Sequence, residues 1–139
     1  MSIDIKSESS AVGEAKVEIE GQGPYEVDRS FLAFSHEAVE VVVVLKTLRL
    51  ISKYFRFKFP LKSSHLEYDK FSAAYFDEDG EFYIYEYKPT SGGIDTFIEK
   101  SSNKVSAVFN MNMKLAKEQD GAPHPKITVH GRFDLSAPS

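Results

Sequence analysis

A chain of 139 residues with 42% apolar and 27% charged side chains has the make-up of one folded domain, long enough to bury a core without covalent staples. It contains no cysteine, which excludes disulfides, thiolate metal sites and cysteine nucleophiles. A net charge of −4 argues against a general grip on nucleic acid, and no apolar run approaches the roughly 18 residues of a membrane-spanning helix.

Residues 1–13 are rich in serine and end in Gly13. They are expected to form a flexible tail ahead of a single β domain over 14–135, with a short C-terminal tail at 136–139. No stretch of signal-peptide character opens the chain, so a cytoplasmic setting is expected. Residues 15–20 alternate apolar and charged, the period of a half-buried strand. Gly21-Gln22-Gly23-Pro24 breaks that strand, and another is expected over 30–35. The run 39–45, Val-Glu-Val-Val-Val-Val-Leu, is crowded with β-branched side chains and reads as a central strand. Ala38, Val41, Val42, Leu45 and Leu48 also share a helical face behind a Ser35 cap, so a helix over 36–52 in an α+β fold is the alternative.

Residues 54–59 alternate and stop at Pro60: Phe55, Phe57 and Phe59 share one face, Tyr54, Arg56 and Lys58 the other. Segments 70–76 and 81–87 flank Asp77-Glu78-Asp79-Gly80, a hairpin signature. Pro89-Thr90-Ser91-Gly92-Gly93 reads as the next turn, 94–99 as a strand and 101–103 as a turn. Val105, Ala107, Phe109, Met111 and Met113 then line one side of a strand, while Val108 interrupts the polar row of the other side. A polar loop at 117–125 leads to the last strand, where Ile127, Val129, Phe133 and Leu135 share a face. Gly131 falls in that apolar row, which marks a bulge or a close backbone approach. The sum is an all-β domain, an antiparallel β-sandwich or closed β-barrel of about 8–9 strands. The Gly-x-Trp signature of lipocalins cannot occur, because the chain has no tryptophan.

Charge comes in blocks. Residues 1–40 carry 3 basic and 9 acidic groups, 41–66 carry 6 and 0, 67–99 carry 2 and 9, and 100–139 carry 6 and 3. Distinct positive and negative zones are expected wherever neighbouring strands do not mix them.

No cofactor or metal motif stands out. Asp77-Glu78-Asp79-Gly80-Glu81 lacks the ligand spacing of a calcium loop and reads as a solvated hairpin tip. The leading reading is a non-catalytic domain that recognises another macromolecule, most simply a protein, as an inhibitor or immunity-type partner would. If Phe82 and Ile84 face the core, Tyr83, Tyr85 and Tyr87 form an outward row of rings suited to an interface. Arg56 and Lys58 supply cations for the same purpose. The first alternative is a carrier of a small hydrophobic ligand, held in a barrel lined by Phe109, Met111, Met113 and Phe133. The second is an enzyme assembled around His130, with Arg132 and Asp134 on the same face. Nucleic acid is disfavoured as a partner, and an exposed strand edge leaves homo-oligomer formation open.

Overall fold

The computed structural model describes residues 9–47, 51–79, 83–116 and 125–137, almost all of them in strands. β1 (Ser9–Ser10) and β2 (Val12–Ile19) are followed by β3 (Gly23–Tyr25), β4 (Val27–Phe34) and β5 (Ala38–Leu45). β6 (Ile51–Pro60), β7 (Ser64–Glu67) and β8 (Ser72–Asp79) come next. β9 (Tyr83–Glu99), β10 (Lys104–Leu115) and β11 (Lys126–Ser136) complete the chain. β5 takes the segment for which a helix was the alternative, as its β-branched valines favour. Residues 48–50 of that segment lie outside the described residues, as do most of the 117–125 loop and Gly80 of the expected hairpin tip, whose other residues, Asp77, Glu78 and Asp79, belong to β8.

All pairings are antiparallel, in the order β1-β4-β5-β6-β8-β9-β10-β11-β2-β3, with β7 beside β9. β1 and β2 form one bent strand, β3 and β4 another. The two ends of the order therefore belong to strands already within it. The sheet curls on itself into a nearly closed barrel of nine strands. The seam lies between the two bent strands. It is zipped at one end by β1 on β4 and at the other by β2 on β3. Between them, residues 12–16 and 27–29 face each other across a cleft of ≈ 500 Å³. Residues 9–13, expected in the N-terminal tail, thus belong mostly to the barrel wall.

The interior is built from the alternation. Phe55, Phe57 and Phe59 of β6, Phe109 of β10 and Phe133 of β11 all point inward and are buried. Their rings touch in sequence: Phe55 to Phe57 at 6.1 Å between centroids, Phe57 to Phe109 at 5.0 Å, Phe57 to Phe133 at 5.5 Å. Val39, Val41, Val43, Ile94, Met111 and Val129 fill the spaces between them. A smaller apolar cluster sits on the outside of β4, β5, β6 and β8. It joins Phe31, Val42, Tyr54 and Phe76, with Tyr54 stacked on Phe76 at 4.8 Å. Tyr54 was expected on a wet face; instead burial, reinforced by the Glu78 carboxylate, raises its phenol pKa well above the usual value.

Two departures from the expected strand pattern share one cause. The segment 89–93 does not turn; β9 runs straight through it for 17 residues. β10 pairs with Ser91 through Asn112 and with Pro89 through Met113, which leaves Thr90 as an extra residue. Pro89 can sit there because a bulge leaves a donor unused. The bulge also switches parity. Tyr85 and Tyr87 face inward before it, Ile94 and Thr96 after it. β7, unforeseen from sequence, borders the far half of β9 while β8 borders the near half.

Candidate interaction surface

The outer faces of β9, β10, β11 and β2 form one wall whose side chains stand in rows set by the register. Phe97, Ser106, Asp134 and Glu14 make the first row. Asp95, Val108, Arg132 and Lys16 make the second, immediately beside it. Gly93, Asn110, His130 and Glu18 make the third.

Phe97 and Val108 are the unusual members. They are 63% and 59% exposed, although each stands in the middle of a sheet between paired strands. A shallow groove of ≈ 430 Å³ runs over the first two rows, with Ala15, Ala107 and Phe133 along it. A wider depression of ≈ 1270 Å³ continues from Lys16, Val108 and Arg132 towards Pro24 and Tyr25.

Around this pair the polar groups divide into satisfied and unsatisfied sets. His130 Nε2 donates to Glu18 Oε2 at 2.6 Å, and Ser106 Oγ donates to Asp134 Oδ1 at 3.0 Å. His65 of β7 bridges Asp95 at 2.6 Å and Glu67 at 3.2 Å. Hydrogen bonding to the Asp95 carboxylate first, and to Glu67 second, holds the His65 pKa above the usual histidine value. Beyond the third row, Thr128 donates to Asn112, which donates to Ser91. Arg132, Lys16 and Glu14 are exposed and make no ion pair with any described residue.

The residues singled out from sequence fall elsewhere or combine differently. Tyr85 and Tyr87 are buried inside the barrel, the reverse of the expected orientation; the side chain of Tyr83 lies outside what is described. The physical reason is the ring stack. Tyr87 packs on Tyr75 at 5.6 Å, and Tyr75 on Phe55 at 4.5 Å, so the tyrosines continue the phenylalanine core. Ile84 faces out in their place. Arg56 and Lys58 both point at Glu40 of β5, at 3.5 and 3.8 Å, and Lys53 pairs with Asp77 of β8 at 3.3 Å. The cations of β6 are thus met by Glu40 on one side and by the acids of β8 on the other, and their charge is mixed rather than zoned.

Phe109, Met111, Met113 and Phe133 do point inward, each at most 2% exposed, where they pack among the other core side chains. His130 is paired with Glu18 of β2 rather than with Asp134, which is engaged by Ser106. Among the described residues no group of three or more metal-ligating side chains converges, and no helix is long and apolar enough to cross a membrane.

No family model matches the chain, and no curated protein or solved structure matches it significantly.

Sequence reasoning passed over Phe97 and Val108, although a signal for each was present. Val108 was the one apolar side chain in an otherwise polar row. Phe97 lies at outward parity once Ile94 and Thr96 are assigned to the core.

Proposed function

We propose that this protein is a non-catalytic recognition domain, and that the wall formed by β9, β10, β11 and β2 binds a protein partner. One observation carries the reading: Phe97 and Val108 stand exposed side by side in adjacent rows, with unpaired charges around them. An apolar centre with a polar rim is the anatomy of a protein-binding patch. Burying a phenylalanine fully is worth roughly 1.5–3 kcal/mol relative to leaving it in water, so leaving one exposed forgoes a stabilisation that a partner can supply. Its central strands β10 and β11 are paired on both sides, which makes the middle of the wall a stiff platform with little order left to lose on binding.

Site-specific photo-crosslinking tests the reading. A benzophenone side chain at position 97 is expected to form a protein adduct in extracts of the native cells, and one at exposed Glu37 is not. Adding Val108→Asp should abolish the adduct while the β-type circular dichroism persists. Equal labelling from both positions, or none from position 97, would rule the wall out as a recognition surface.

A further inference from the structure

The charges around the apolar centre are arranged in a way that selects a partner. Lys16 and Arg132 stand directly opposite each other on β2 and β11, and so do Glu14 and Asp134 in the neighbouring row. Like charges directly opposite on paired strands repel. The repulsion is not relieved by ion pairing among the described residues, where Asp134 accepts only from the Ser106 hydroxyl. All four side chains are exposed. The wall therefore carries a doubled cation and a doubled anion side by side, next to Phe97 and Val108.

We propose that the occupant of the wall is a second copy of the same chain, related by a two-fold axis that runs parallel to the rows and midway between them. The proposal rests on the reading of the wall as a protein-binding surface. A half-turn about that axis places the first row of one copy over the second row of the other, column by column. Glu14 then faces Lys16 of the second copy, and Asp134 faces Arg132 of the second copy. Each contact occurs twice, as an isologous interface requires. The same operation sets Phe97 over Asp95 and Val108 over Ser106 of the second copy, so that Phe97 of each copy lies one strand away from Val108 of the other. A small anion would neutralise Lys16 and Arg132 but would leave Glu14 and Asp134 unrelieved. A second copy relieves both pairs at once.

Sedimentation of the full chain and of two charge-reversed forms tests this. Wild type is expected to be a dimer. The form with Lys16→Glu and Arg132→Glu carries two acidic rows and should be a monomer. The form with Glu14→Lys and Asp134→Lys carries two basic rows and should also be a monomer. Mixed in equal amounts, the two forms should recover the dimer, because an all-acidic wall then meets an all-basic one. Circular dichroism confirms that each form is folded. If either reversal unfolds, the neutral Lys16→Gln, Arg132→Gln form replaces it, and a dimer of undiminished affinity there overturns the proposal. A monomeric wild type at every soluble concentration overturns it too, as do reversed forms that still self-associate. A monomer that nonetheless labels a different protein from position 97 removes the self-pairing and leaves the recognition reading standing. A monomer that labels nothing removes both.

Discussion

Tyr75 holds its phenol oxygen inside the barrel with no hydrogen-bond partner among the described residues. Its ring is 1% exposed and lies between Phe55 and Tyr87. Leaving a buried hydroxyl unbonded costs about 1–3 kcal/mol, whereas removing it keeps the ring contacts intact. Tyr75→Phe is therefore expected to raise the unfolding free energy by an amount in that range, read as a higher urea midpoint at unchanged slope. A lowered midpoint would mean that the oxygen has a bonding role. At this scale the sequence was a partial guide. It placed Phe109, Met111 and Phe133 on the inward face, because strict alternation in β10 and β11 leaves no other choice. It could not pair His130 with Glu18 or His65 with Asp95. Those partners are brought together by strand neighbours far apart along the chain, and nothing in local spacing encodes which strands meet.

Gly131 marks a close approach of two strands. Its register is unbroken on both sides, opposite Phe109 on β10 and Val17 on β2, so it marks a close approach rather than a bulge. A methyl group there would collide with the Lys16 carbonyl oxygen and press the Phe109 ring at 2.8 Å. Because the first obstacle is backbone, a side chain cannot simply rotate away. Gly131→Ala is expected to destabilise the barrel by about 1–3 kcal/mol or more, read as a lower midpoint in chemical denaturation. A midpoint within error of wild type would show that β2 and β11 have room to separate. Gly92 makes a similar approach to the Asn110 carbonyl with a φ of 95°. In sequence, Pro89-Thr90-Ser91-Gly92-Gly93 carries the residues of a turn. The same residues also serve a bulge inside one long strand. What decides between them is β10, which pairs with β9 from Tyr87 to Glu99 and so bridges the whole segment, and that is a tertiary fact. The parity of the tyrosines followed from this choice and was misread with it.

Across the whole molecule the ring stack links the fold to pH. Burial pushes the Tyr87 phenol up to about 12 and raises Tyr54 and Tyr75 as well. The folded state therefore keeps protons that the unfolded chain releases near 10. Stability from these groups is complete below that value and falls as pH rises from there towards the folded values, by up to about 1.4 kcal/mol per unit for each phenol. Alkaline unfolding should be cooperative, with tyrosinate absorbance from the core appearing as the β signal in circular dichroism is lost. Tyrosinate formation by all seven tyrosines near the ordinary value, with the β signal intact, would contradict this. The barrel itself was within reach of sequence reasoning, since alternation and turn spacing specify curled antiparallel sheet. The charge zones were not. Strand order sets the basic β6 between Glu40 of β5 and the acids of β8, and it brings Lys16 beside Arg132 and Glu14 beside Asp134.

With aromatic rings wedged through its middle, the molecule resembles a drum more than a cup. A drum's skin keeps its tension because something solid braces it from within. Here the braced wall keeps its columns at a fixed pitch, like type locked in a printer's forme, and what such a forme offers the outside world is a legible spacing rather than a hollow.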